Sequence, residues 1–455
     1  MKKNKQRKKP VFQQMNKNAA GIDIGSEFHY VAVPSGRDKE SQNVRFFGTF
    51  TSDLYALADW LKACKIDSVA MESTGVYWIP LFEILDSKGF DVKLVNPRSI
   101  KNVPGRKTDV LDCQWIQRLH SYGLLQGSFR PDEQICILRS YLRQRSMLVS
   151  DASQYIQRMQ KALEQMNIKL NQVIRDITGT TGMAIIGAIL DGERDPKKLA
   201  AHRNARCKND AATITKSLYG NWRKEHLFAL EQAVEAFNFY QKQIGVCDHK
   251  IEQHLSSFDD RSDGHPLDKS RRLTGRNKLA FDARKHLYQM TGVDLTRVAG
   301  LDSLSALQII GEIGLDMSCW PTEKHFASWL GLSPGSKISG GKVLSSKTKK
   351  CANRAAHYLR LAAYSLHRSN SAIGAFFRRK KAQLGPAKAI TATAHKLARI
   401  IYNMLKHGTA YEDLGQDHYE TRYRQRVIQN LKRRAKQFGC QLVIIKELQP
   451  VTQHS

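Results

Sequence analysis

Four acids stand where carboxylates can do metal-assisted chemistry. Asp23 interrupts the apolar run Ala19-Ala20-Gly21-Ile22-Asp23-Ile24, and a charge inside such a run needs a reason, because burying it unpaired is costly. Glu72 closes a second apolar run, Asp67 to Glu72. Asp109 and Asp112 lie three apart in Lys107-Thr108-Asp109-Val110-Leu111-Asp112, which puts both on one helix face. Carboxylates brought together repel unless cations sit among them. Two Mg²⁺ ions about 4 Å apart would relieve the repulsion and clamp a scissile phosphate. Each acid alone has a plainer reading. A strand-turn such as Asp23-Ile24-Gly25-Ser26 also opens actin-like sugar kinases, which need a second Gly-rich phosphate loop; none follows here. Asp109 and Asp112 alone would suit the positive end of a helix dipole.

The elements that must position these acids follow from periodicity. Ala19–Gly25 reads as a short strand, His29–Val33 as its hairpin partner, and Val44–Phe50 alternates as a third strand. Ser52 or Asp53 is the expected cap of a helix through Leu54, Leu57, Trp60 and Leu61. Asp67–Glu72 has a buried strand's composition, Trp78–Leu85 a helix's, Asp91–Val95 a strand's, and a further helix starts near Val110. This order describes an RNase H-like α/β domain over residues 19–128. In such a sheet the first and fourth strands are central neighbours, and a helix crossing their ends brings the four carboxylates together.

Residues 129–257 read as a coiled-coil region. Leu138, Leu142, Arg145, Val149, Ala152, Ile156, Met159, Leu163, Met166, Leu170, Val173 and Ile177 keep strict 4-3 spacing, predicting one long helix. A weaker seam, Leu227, Leu230, Val234, Phe237, Gln241, Ile244, Asp248, Ile251 and Leu255, predicts a second. Joined by residues 178–222, the two suggest an antiparallel hairpin, or a pairing between chains. Residues 258–280 are a polar linker. Residues 281–414 form a small helical region, through Leu304–Ile313, Phe326–Leu330, Ala352–His367 and Ile390–Leu405. A basic tail, 415–455, is helical to Phe438.

Charge separates these parts. The 455 residues carry 72 Lys and Arg against 42 Asp and Glu, a net +30, which calls for a polyanionic partner, most simply nucleic acid. Residues 1–18, a basic arm, hold seven Lys/Arg and no acid; residues 421–437 hold seven and none; residues 324–411 hold 17 and none. These windows account for the whole net charge. Lys347, Lys349, Lys350, Arg354 and Arg360 could line a phosphate track, and so could Arg378, Arg379, Lys380 and Lys381, unless these four consecutive cations form a solvated corner. Val298–Leu307 looks like either a degenerate helix-hairpin-helix, whose helix start would bind phosphate, or a plain helix N-terminus. No signal peptide, membrane-length apolar run or CxxC pair is evident, so a reduced, cytoplasmic and nucleoid-associated setting is expected, without membrane or zinc.

The words around the acids, Gly21-Ile22-Asp23-Ile24-Gly25, Met71-Glu72-Ser73-Thr74-Gly75-Val76-Tyr77-Trp78 and Lys107 to Asp112, resemble the DEDD transposases of the insertion-sequence "IS one-ten" family, which includes Piv-type invertases. The resemblance continues in Asn96-Pro97-Arg98, Gly192-Glu193-Arg194-Asp195-Pro196, Gly331-Leu332-Ser333-Pro334, Ile338-Ser339-Gly340-Gly341-Lys342, Asn353-Arg354 and Tyr358-Leu359-Arg360. It covers most of residues 19–410 and favours the longer subgroup. It implies a RuvC-like domain, a coiled-coil insertion and a helical C-terminal transposase domain. It also implies Mg²⁺ at Asp23, Glu72, Asp109 and Asp112, and a nucleophilic serine just before the glycines, Ser339. Ser336, Ser345 and Ser346 are local rivals. Basic residues from Lys342 to Arg379 would hold donor and target DNA and a structured guide ("bridge") RNA, on a dimer or tetramer. Two other readings stay open: a junction nuclease using the acids and water, and a non-catalytic RNA-binding protein.

Overall fold

A computed structural model describes residues 13–40, 42–73, 75–97, 108–267, 277–349 and 353–443. Residues 1–12 of the basic arm, 268–276 of the linker, Lys350 and the tail's end, 444–455, lie outside the described residues, as do Thr74, Arg98 and Lys107 of the matched words. The chain divides into two compact units, Met1–Arg130 and Pro131–Ser455.

The first unit is built on a five-stranded mixed sheet, in the order β3-β2-β1-β4-β5. The strands are β1 Ala19–Ile24, β2 Phe28–Ala32, β3 Val44–Gly48, β4 Ser68–Glu72 and β5 Asp91–Val95. β1 pairs antiparallel with β2 and parallel with β4. Alternation sends Ala20, Ile22 and Ile24 to one face, where they pack with Leu54, Leu57 and Leu61 of α1 (Thr51–Ala63) and Leu81 and Leu85 of α2 (Trp78–Ser87). The other face takes α3 (Asp109–Ser121), whose Ile116 packs with Ala70 and Val95. Neither Ser52 nor Asp53 caps α1. The helix starts at Thr51, behind Phe50, with no side-chain cap, and Asp53 sits in its first turn, where an acid suits the dipole.

In the second unit, α4 (Glu133–Gln165) is capped by Asp132, whose carboxylate accepts from the Ile135 amide at 2.9 Å. It packs along α9 (Lys224–Leu255) of the same chain. Tyr155 meets Tyr240 at 5.4 Å and Arg145 pairs with Asp248, so the hairpin is antiparallel. The expected helix to Ile177 breaks early. α4 stops at Gln165, and Asn167 takes a positive φ of 57°, which a continuing helix cannot hold. Met166, Leu170 and Ile177 still join the core, because the chain folds back through α5 (Leu170–Val173), α6 (Thr180–Leu190), α7 (Pro196–Ala201) and α8 (Ala211–Ser217).

The rest of this unit is helical: α10 (Ala283–Thr291), α11 (Ser303–Ile313), α12 (Glu323–Trp329), α13 (Arg354–Ser365), α14 (Ala372–Leu384), α15 (Pro386–His407) and α16 (Gly415–Gln437). It also holds a hairpin absent from the sequence reading, β6 (Lys337–Ser339) with β7 (Lys342–Ser345). Among the described residues, no helix is long and apolar enough to cross a membrane.

Candidate active site

Strand register brings the first two acids together. Ile22 stands opposite Met71 in the parallel β1–β4 pair, so the next residues, Asp23 and Glu72, lie side by side at the strand ends and point to one face. That face is the one α3 covers. α3 can lie on β1 because position 21 is glycine: a Cβ there would stand 2.1 Å from the Gln117 nitrogen and 2.5 Å from the Cys113 oxygen. Thr108 caps the helix, its hydroxyl accepting from the Leu111 amide at 3.4 Å. Asp109 and Asp112 occupy the first turn.

The carboxyl of Asp23 registers this crowding. Its pKa is pushed from 3.8 up to about 6, first by burial, then by the negative charges of Asp109, Glu72 and Asp112. Burial and the neighbouring Asp23 also push the Cys113 thiol up to about 12, which keeps it an inert neutral group. Among the described residues no three His, Cys, Asp or Glu side chains stand close enough together to hold a metal ion. Asp23 is within electrostatic reach of the other three acids. Their hard oxygen donors suit a divalent cation, whose charge would relieve the repulsion on Asp23. The macrodipole accounts for Asp109 and Asp112 at a helix start, but not for Asp23 in mid-sheet.

In the second unit, Ser339 ends β6 and pairs with Lys342 across Gly340-Gly341. Both glycines have positive φ, 53° and 75°, as a type I′ hairpin turn requires. Ser339 and Lys342 are exposed at the tip. Of the rivals, Ser345 sits at the hairpin's base opposite Lys337, and its hydroxyl accepts from the Lys347 amide. Ser336 and Ser346 lie outside both strands. The signal for the hairpin was present: Gly-Gly between short stretches bearing Ile338, Val343 and Leu344.

The basic candidates divide. Lys342, Lys347, Lys349 and Arg354 are exposed. Arg354 and Arg360 line one cleft of about 820 Å³ with His357 of α13 and Arg143 of α4. Arg143, which sequence reading missed, is forked onto Glu312 at 2.8 Å. Arg378 and Arg379 are engaged inside the unit. Arg378 donates to the Ser369 carbonyl and to the Gln416 side chain, both at 2.6 Å. Arg379 stacks on Tyr423 at 3.3 Å. They hold α16 against α14, because a half-buried guanidinium must find acceptors or a ring. The expected phosphate site at Val298–Leu307 is also filled. The Asp302 carboxylate caps α11, accepting from the Ser305 amide at 2.8 Å, and is paired with Lys278.

Two family models match this chain. Residues 20–168 match a transposase model, that of DEDD enzymes of IS110 elements. Residues 293–378 match a second, described as transposase of the IS116/IS110/IS902 family. No curated protein matches the chain.

Proposed function

This chain belongs to the IS110 family of DEDD transposases, enzymes that recombine DNA, and from that premise we propose that it cuts and rejoins DNA through a serine-linked intermediate under the guidance of a structured RNA. The observation that carries the reading is the strand register that sets Asp23 beside Glu72, on the face where the first turn of α3 carries Asp109 and Asp112, all three acting on Asp23. We read the sheet order β3-β2-β1-β4-β5, with α3 across its acid-bearing face, as RNase H-like (RuvC-like). Residues 19–128 are then the carboxylate domain, 129–257 the hairpin insertion and 281–414 the serine domain.

The chain's own residues divide the work. The four carboxylates would hold divalent cations, Mg²⁺ by their hard donors, which when bound neutralise phosphate charge and polarise its oxygens. Ser339 Oγ attacks the phosphorus and gives up its proton to solvent, while the P–O3′ bond breaks and the departing oxygen takes up a proton, leaving a 5′-phosphoserine and a free 3′ hydroxyl. The I′ turn presents the hydroxyl at the tip of a narrow hairpin, beside two glycines with open space around them. Lys342, directly opposite, offers positive charge to the phosphoryl oxygens. Lys347, Lys349, Arg354 and Arg360 hold backbone phosphates, which fix position while base pairing with the guide selects sequence. The family resemblance supports the serine, the guide RNA and a dimeric or tetrameric assembly.

The test is a labelled-DNA cleavage in Mg²⁺ followed by proteolysis. The expected product is a phosphopeptide covering residues 338–342, absent from Ser339→Ala. An adduct that persists in Ser339→Ala overturns the serine assignment. Free 5′-phosphate ends with no adduct favour a water-using nuclease. Unchanged cleavage by Asp23→Asn overturns the role of the acids.

A further inference from the structure

The row of residues that carries Asp23 does not end at the acid. Asp23 pairs with Tyr30 across β1–β2, and Tyr30 with Phe46 across β2–β3. Paired residues share a face, so Asp23, Tyr30 and Phe46 form one line across three strands. Phe28, two residues before Tyr30, is on the same face. α3 packs on β1, β2 and β4, and beyond its edge Phe28 and Phe46 are 45% and 64% exposed. They meet edge to face at 5.6 Å, and Tyr30 tilts against Phe46 at 6.0 Å. The neighbouring Phe47 turns to the opposite face and packs on Trp60 at 5.5 Å, within the core. One phenylalanine of the pair thus builds the fold, and the other does not.

Clustered exposed rings need an occupant, since strand propensity alone is as well met by Val or Thr. Two strand spacings, about 10 Å, separate Asp23 from Phe46. That is the span of about three nucleotides at a rise of ~3.4 Å. A nucleic acid whose phosphate lies at the acids would therefore set its neighbouring bases over these rings. Only unpaired bases can offer their faces; a duplex keeps them stacked inside. Resting on the reading of the four acids as the reaction centre, we propose that Phe28, Tyr30 and Phe46 form a stacking surface for unpaired DNA bases beside the scissile phosphate. It would hold open a strand that has left its duplex, as strand exchange requires.

The probe is a single-stranded oligonucleotide carrying 5-iodouracil and 2-aminopurine, with the same sequence as a duplex for comparison, on the full-length protein without divalent metal. Long-wavelength irradiation should crosslink the single strand to a peptide containing Phe28 or Phe46, and 2-aminopurine emission should fall on binding. Phe28→Ala/Phe46→Ala should lose both signals and weaken single-strand binding about five- to 100-fold, with duplex binding and melting temperature unchanged. Phe28→Leu/Phe46→Leu, which keeps apolar surface without the ring, should behave like the alanine variant. Three results would overturn the proposal: crosslinks confined to other peptides, single-strand binding retained without the rings, or rescue by leucine. A double variant that changes only the oligomeric state would also overturn it, in favour of a protein contact. Asp23→Asn separates the two readings. It should abolish cleavage while leaving the crosslink and the emission change intact; cleavage by that variant sinks the reaction centre and not the stacking surface.

Discussion

Asp23 is held where a carboxylate is hardest to keep ionised, and this has measurable consequences. Its folded pKa of about 6 stands above its ordinary 3.8. The sign follows from linkage: the folded form binds the proton more tightly, so the contribution of Asp23 to stability is fullest below about pH 4 and declines as pH rises through 6. Asp23→Asn removes this decline. In chelator, the variant should be more stable than the parent by about 1–2 kcal/mol at pH 8, a figure discounted for the carboxyl's partial exposure, and no more stable at pH 4. Melting curves at the two pH values decide it; an equal difference at both would remove the electrostatic explanation. Divalent binding should weaken in step below pH 6, since a cation must displace the proton; titration calorimetry with Mn²⁺ measures this. At this scale the sequence was informative. An acid between Ile22 and Ile24, and a pair three apart, are anomalies that need no coordinates. Arg378 and Arg379 were not legible, because a run of four cations looks the same whether it faces solvent or reaches back to a carbonyl and a ring.

Among the elements, the hairpin of α4 and α9 repays comparison with its heptads. Each predicted seam carried one charged interruption, Arg145 in the first and Asp248 in the second, which also holds Gln241. The structure sets them against each other, their side chains 3% and 4% exposed. Arg145 also donates to the carbonyls of Asn277 and Lys278, and Asp248 accepts from the Ala280 amide at 3.0 Å. A one-heptad slip would bury both charges alone, so the pair selects the register. Arg145→Ala or Asp248→Ala should destabilise by about 3–5 kcal/mol, whereas the joint Arg145→Leu/Asp248→Leu should recover part of that loss and stay below the parent, because the Asn277 and Lys278 carbonyls and the Ala280 amide lose their partners. Urea unfolding of the three proteins tests this; a double variant as unstable as the singles would assign the loss to packing. The end of α4 was misread because Met166, Leu170 and Ile177 keep the heptad's apolar pattern while serving a folded-back core. Apolar spacing reports burial, and the backbone turn at Asn167 leaves it untouched.

For the whole molecule, charge is partitioned between a body that holds all 42 acids and segments that hold none. Affinity for DNA should therefore fall steeply with salt, by about 0.9 in log K per log salt for each phosphate contact. Alanine at Lys347, Lys349, Arg354 and Arg360 should flatten that slope by about three to four. Alanine at Arg378 and Arg379 should leave the slope alone and lower the melting temperature, because these guanidiniums serve α16. Binding measured at several salt concentrations separates the two sets; a flattened slope for the second would return them to the phosphate track. By itself the sequence determined the residue types, the order of strands and helices in the first unit, and the sign and location of charge, since periodicity and composition are local properties of the chain. Only the tertiary structure decided which residues meet: Asp23 beside Glu72 through strand register, α3 seated on β1 because Gly21 has no side chain, Arg145 against Asp248, and three rings on the acid's face of the sheet. Such meetings depend on packing between residues far apart in the chain, where the distance of closest backbone approach, not the local pattern, sets the outcome.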